Sequence, residues 1–224
     1  MASGGGASAK GGSFKGTQSS GTVAFTKEKK ANRKATKDQI DDCIMTLRAA
    51  IFEANGKDKD VTNGVAPLFM SFKKNGLDLT FQFSTKLQRR ELDWAFELTK
   101  EHMEDVYDAS GYGWDDEDKR KELSEQGTRF ILVRESTPEA DGKPGRLVAF
   151  CHFRFTVQGE VIDSMTGGPC LFLWDIQIER EAQGCGLAKH LLMLLELISR
   201  RENMGSISVP VQLGHSSAMA WIQK

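Results

Sequence analysis

The segment Trp174-Asp175-Ile176-Gln177-Ile178-Glu179-Arg180-Glu181-Ala182-Gln183-Gly184-Cys185-Gly186-Leu187-Ala188-Lys189 has the make-up of an anion cradle. An apolar stretch runs into a loop with glycines at 184 and 186, and that loop opens a long amphipathic run. Between a strand and a helix, such a loop leaves the first helical N–H groups free at the positive end of the helix dipole, where a phosphate is favoured. Glycine lets the backbone approach a ligand without a Cβ in the way. The chain has no G-x-x-x-x-G-K-[ST] run and no complete G-x-G-x-x-G, so the common nucleotide loops do not account for it. What remains is Gln183-x-x-Gly186-x-Ala188, a pattern that an ordinary strand-to-helix turn also satisfies.

The elements that would position this loop are legible on either side of it. Leu171 to Ile178 is nearly continuously apolar, as a central strand is. Leu187, Leu191, Leu194 and Ile198 place one stripe on a helix from Gly186 to about Asn203. Further back, Ile40, Ile44, Leu47 and Ile51 share a helix face that Asn55-Gly56 closes. A loop is expected from there to Asn75-Gly76. Leu77, Leu79, Phe81 and Phe83 alternate with polar residues as a half-buried strand does. Leu92, Phe96, Thr99, Met103 and Val106 mark a second helix that glycines 111 and 113 end, and a short charged helix covers Asp115 to Glu125. Strands are expected at Arg129 to Arg134 and at Leu147 to Val157, the latter with Leu147, Ala149, Cys151, Phe153, Phe155 and Val157 on one face. Ser206 to Val211 reads as a last strand, and His215 to Ile222 as the start of another helix. The fold class is α/β, a mixed sheet flanked by helices.

Several stretches carry a more specific likeness. Leu92 to Lys100, Tyr107, Gly113-Trp114, His152-Phe153-Arg154-Phe155, Gln177-Ile178-Glu179 and Gly186-Leu187-Ala188-Lys189, with Asn75-Gly76-Leu77 ahead of them, occur in an order that resembles the N-alpha-acetyltransferase D (NatD) class of the GNAT superfamily. The likeness covers roughly Asp38 to the end. It implies the GNAT acyl-CoA N-acyltransferase fold over residues 37–224, after a basic tail over 1–36. The superfamily continues with two strands beyond the point where this sequence stops, at Trp221-Ile222-Gln223-Lys224, so the resemblance implies either an incomplete product or a fold shortened at the C-terminus.

The same resemblance implies acetyl-CoA as co-substrate, no metal, and direct attack of an amine on the acetyl thioester in a ternary complex. Asp175 stands at the family's acidic position and would serve as general base. Strand alternation puts it on a face with Leu171 and Leu173, where desolvation would raise its pKa. The other reading is an acid at a strand end held by backbone donors. The pantetheine arm would pair with the backbone of Ile176, Gln177 and Ile178 as an added strand. Gln183, Gly184, Cys185, Gly186, Leu187, Ala188 and Lys189 would hold the pyrophosphate. His215, where the superfamily often has an asparagine, is either a cofactor donor or a helix cap. Tyr107, Tyr112, Trp114 and Trp174 are the aromatic candidates for the peptide site, with core packing as the alternative for each. The implied substrates are the amino termini of histones 4 and 2A, in nucleus and cytoplasm. Two acids that the class carries after the Phe153-Arg154-Phe155 strand are replaced here by Thr156 and Gln158, with Glu160 and Asp163 in the longer loop beyond.

Charge and composition narrow the partners. The first 36 residues hold seven Lys and Arg against one acid, Glu28, so the rest of a chain of net charge −1 carries −7. An acidic body suits a basic peptide and not a nucleic acid. The Gly/Ser/Lys-rich tail lacks the apolar residues needed to offset its ordering entropy and is expected to be disordered, and Lys27 to Lys34 reads as a nuclear-import patch or as solvated chain. No run of about 18 apolar residues is present, so no membrane partner is expected. The four cysteines form no C-x-x-C pair and no zinc-ligand spacing, and read as free thiols. Two other functions remain open: a GNAT enzyme for another amine, such as a lysine or a small metabolite, and a catalytically weak acetyl-CoA-binding protein.

Overall fold

The computed structural model describes residues 20–23, 37–56, 59–158 and 168–212. The import patch, His215, the helix expected to follow it, Glu160 and Asp163 lie outside them.

One sheet organises the molecule, with strand order β1-β7-β6-β5-β4-β3-β2. The strands are β1 (Ser20–Val23), β2 (Ser71–Lys74), β3 (Leu77–Ser84), β4 (Arg129–Glu135), β5 (Leu147–Gln158), β6 (Gly168–Ile178) and β7 (Ser206–Pro210). All neighbours run antiparallel except β6 and β7. That parallel pair is joined by α4 (Leu187–Arg201), as a parallel crossover requires. The remaining helices are α1 (Lys37–Ala54), α2 (Arg89–Ala109) and α3 (Asp116–Ser124).

The sheet has a core on each face. Leu187, Leu191, Leu194, Leu195 and Ile198 of α4 are 0–1% exposed and pack on Ile131, Val133, Ala149, Cys151, Phe153, Leu171 and Leu173. Each such leucine removes enough apolar surface to contribute about 1.5–3 kcal/mol. The opposite face carries Phe130, Leu132 and Phe150 against Ala95, Phe96, Leu98 and Leu123 of α2 and α3. Helix α2 begins with a reciprocal capping box in which Gln88 and Glu91 satisfy each other's backbone N–H. Asp115 caps α3 by accepting from the Asp118 N–H.

Three features depart from the sequence reading. Strand β2 stands where a loop is expected. Asn75 and Gly76, at φ of 55° and 81°, make the two-residue turn that pairs it with β3. Ser71–Lys74 is too short, with one apolar residue, to announce itself by alternation. Strand β1 lies inside the tail expected to be disordered. It pairs with β7 through its backbone, a contact that does not depend on apolar side chains. Finally, the ladder slips twice. Val133 faces Ala149 while Arg134 faces Leu147, which leaves Val148 extra in β5. The slip turns Leu147 to the α2/α3 face, away from Ala149, Cys151, Phe153 and Phe155, and Val157 is 39% exposed. The second slip builds the site.

Candidate active site

His152 pairs with Asp175 and Phe153 with Leu173, so Trp174 is an extra residue in β6. A β-bulge of this kind breaks the alternation of a strand. Leu171 and Leu173 point into the α4 core, but Asp175 lies across from His152 on the α2/α3 face. The expected face for Asp175 is therefore corrected: two consecutive residues, Trp174 and Asp175, reach the side where His152 and Phe130 stack.

Asp175 is 7% exposed and has three neighbours. His152 Nδ1 lies 3.4 Å from Oδ2, Lys119 Nζ 3.7 Å from Oδ2, and Gln177 Nε2 3.5 Å from Oδ1. Burial alone pushes the Asp175 carboxyl upward. The Lys119 ammonium, the hydrogen bond and charge of His152 and the Gln177 amide outweigh it, and the pKa is held below the ordinary carboxylate value. The expectation of a raised pKa is thus overturned, because the bulge delivers Asp175 to a cation and not to an apolar wall. Burial of Lys119 disfavours its charge, and the carboxylates of Asp175 and Glu122, with Tyr107, more than compensate, so its pKa lies above that of an ordinary lysine.

Glu122, His152 and Asp175 offer ligand atoms within 4.8 Å of one another. The Lys119 ammonium stands 2.7 Å from Glu122 Oε1, between the two carboxylates, and supplies the positive charge there. Beyond Asp175, Gln177 Oε1 is 2.9 Å from His102 Nδ1 on α2. The Gln177 amide thus links that helix to the bulge.

The aromatic candidates fall into two groups. Tyr107, Tyr112 and Trp114 meet at the end of α2, with Tyr107 edge-on to Tyr112 at 5.6 Å and to Trp114 at 5.5 Å. Tyr112 is 67% exposed, whereas Trp114 packs on the core and donates its indole N–H to Asp116. Trp174 stands apart, between His152, Phe172 and the Arg154 guanidinium. Lys119 bridges the groups, with its ammonium 5.6 Å from the Tyr107 ring centre and 3.7 Å from Asp175. Burial raises the Tyr107 phenol above its ordinary pKa.

The loop expected to hold a pyrophosphate fits that ligand in its backbone. Gly186 is the N-cap of α4 in the left-handed region, φ 88°, and no side chain caps the helix. Gly184 is left-handed too, and a Cβ built on either glycine meets nothing within 4 Å. Asn75 at the β2–β3 turn donates to the Cys185 carbonyl, and Gln183 donates to the Ile178 carbonyl. Both bonds brace the loop from outside, and the second engages the Gln183 side chain. Leu187 is a core residue that offers only its backbone, Ala188 is half-buried, and Lys189 is exposed. Strand β7 pairs with β6 only at Cys170, Leu171 and Phe172. From Leu173 through Ile176, Gln177 and Ile178 that edge of β6 has no strand partner among the described residues. An extended acyl-carrier arm needs such an edge. The Gln177 side chain turns to the other face, so only its backbone is available here.

Lys119, Glu122, His102 and His152 are absent from the sequence-based site. Lys119 and Glu122 sit in a helix whose charge pattern reads as solvated, and His152 is legible only as part of a motif.

Comparison with known proteins agrees with this architecture. Residues 89–224 match the model of the Acetyltransferase (GNAT) family. Among solved structures, a possible acetyltransferase from Clostridium difficile 630 is 13% identical, with a TM-score of 0.45 over 64% of this chain and 87% of that one. A ribosomal-protein-alanine N-acetyltransferase from Brucella melitensis is 16% identical, with a TM-score of 0.43 over 65% and 89%. Arabidopsis thaliana NAA60, in complex with a bisubstrate analogue, is 12% identical, with a TM-score of 0.39 over 54% and 68%.

Proposed function

Because the chain belongs to the GNAT acetyltransferase family, an acetyl-CoA-dependent family, we propose that it transfers acetyl to the α-amino group of a protein N-terminus. The observation that carries the choice of amine is that the proton acceptors at the floor are a buried carboxylate and a buried imidazole, Asp175 and His152. Groups of those kinds are weaker bases than an alkyl amine, so the site favours an amine that is already partly neutral near about pH 7 to 8. An α-amino group, with a pKa of about 7.7–8.0, meets that condition, and a lysine side chain, at about 10.4, does not. The floor supports the same reading: Asp175 and His152 are 7% and 0% exposed, suited to the end of a chain rather than to a side chain arriving from an open groove.

The candidate peptide walls are Tyr107, Tyr112 and Trp174, with Trp114 supporting Tyr107 from the core. Gln183 to Lys189 and the free edge at Ile176 to Ile178 would take the pyrophosphate and the pantetheine arm of acetyl-CoA. The bound co-substrate supplies the activated acetyl group; the chain's own residues orient the amine and exclude water. Histone tails remain the proposed substrates, in nucleus and cytoplasm, on the NatD-like motifs and the −7 charge outside the basic tail. A peptide with a free amino terminus and an internal lysine tests the choice of amine. Mass spectrometry is expected to find acetyl on the α-nitrogen alone; acetyl on the lysine would overturn the assignment.

A further inference from the structure

We propose that His152 takes the proton from the attacking amine, and that Asp175 acts as its positioning residue. The inference rests on acetyl transfer at this site. The His152 ring is fully buried and lies cross-strand from Asp175, with Nδ1 directed at the carboxylate, 3.4 Å from Oδ2. Its other nitrogen, Nε2, is buried and has no hydrogen-bond partner among the described residues. Phe130 and Trp174 hold the ring, Phe130 at 4.9 Å and 13° from parallel and Trp174 at 6.4 Å and 21°.

A carboxylate at one imidazole nitrogen keeps the proton there and leaves the other as an acceptor. A buried ring nitrogen with no protein partner is open to a donor such as a water or a bound amine. The ring stands opposite Asp175 at the bulge, in the stretch of β6 that has no strand partner on its β7 side among the described residues, with Trp174 stacked over it. Asp175 is already engaged by Lys119, His152 and Gln177, whereas the imidazole keeps a ring nitrogen with no partner among the described residues. The charged and titratable groups that bear on the ring are Asp175 on β6, Lys119 and Glu122 on α3, Tyr107 and, through Gln177, His102 on α2, and Arg154 across Trp174.

The step balances without another reactant. The amine nitrogen bonds to the thioester carbonyl carbon and its N–H proton passes to Nε2. The C–S bond breaks and the sulfur keeps the electron pair. The imidazolium proton then goes to that sulfur or to solvent, which returns the ring to its acceptor state.

His152→Gln in the full chain, assayed with acetyl-CoA and a peptide of free amino terminus, is expected to lower kcat by about 10²- to 10⁴-fold. The KM for acetyl-CoA should stay within about twofold, and the acid limb of the pH–rate profile should vanish. In Asp175→Asn that limb should persist at reduced kcat. Retention of most of the kcat in His152→Gln would overturn the proposal. Because that variant removes a fully buried ring, a second readout stands on the unaltered protein. Long-range ¹H–¹⁵N spectra should show, for the histidine perturbed in Asp175→Asn, the Nδ1–H tautomer at neutral pH; an Nε2–H tautomer would overturn the assignment. Acetyl found on a lysine would sink the α-amine reading alone, and the same variants would then be compared on that amine.

Discussion

His152 and Asp175 face each other across the β5–β6 ladder, Nδ1 to Oδ2 3.4 Å apart, because Trp174 is an extra residue in β6. Without the bulge, Asp175 would lie in the α4 core with Leu171 and Leu173. With it, an acid, an imidazole and an indole converge beside a sheet edge that has no strand partner among the described residues. The first consequence concerns the acid. Asp175→Asn keeps the shape and removes the charge, and it should lower kcat at least tenfold while leaving the KM for acetyl-CoA near its original value. Steady-state kinetics at saturating peptide reads both.

Lys119 is the cation between two carboxylates, 6% exposed. Lys119→Met leaves Asp175 buried and facing Glu122 with no countercharge. Removing one partner of a buried pair costs about 3–5 kcal/mol, and a denaturant midpoint should fall accordingly. Adding Asp175→Asn should recover part of that loss.

The same pair sets an acid limit on stability. The Asp175 pKa is lower folded than unfolded, so its contribution is complete above the ordinary carboxylate value of about 3.9 and is lost as pH falls through the lower folded value. Lys119 is shifted upward, so its contribution is complete below about 10.4 and is lost as pH rises through the folded value. In thermal melts from pH 2 to 6, Asp175→Asn should flatten the acid limb relative to the parent.

The loop proposed to hold the co-substrate makes a separate prediction. A Cβ at Gly186 meets no atom, so Gly186→Ala does not clash, but φ 88° is strained for any L side chain. The cost of about 1–2 kcal/mol should fall on the start of α4. The KM for acetyl-CoA should rise severalfold with a much smaller change in kcat.

Much of this was legible in the sequence, for a physical reason. The stripe Leu187, Leu191, Leu194 and Ile198, the alternation Leu77 to Phe83, and the glycines at 184 and 186 each state a local rule that the fold obeys. The candidate site was legible as a stretch of sequence, Asp175 to Lys189, but not as an arrangement. A bulge adds one residue without changing composition, so period-2 reasoning placed Asp175 and Leu147 on the wrong faces. Lys119 and Glu122 looked like surface charge in a polar nine-residue helix, and only the packing of α3 on the sheet brings them to Asp175. His152 gave no signal of its own beyond its motif.

The central claim is that the bulge opposite His152 serves acetyl transfer to an α-amine. The most direct measurement is transfer of labelled acetyl from acetyl-CoA to a histone 4 tail peptide, beside the same peptide with its amino terminus blocked. Label is expected on the free peptide alone. Equal label on both, or none while acetyl-CoA still binds, would contradict the claim.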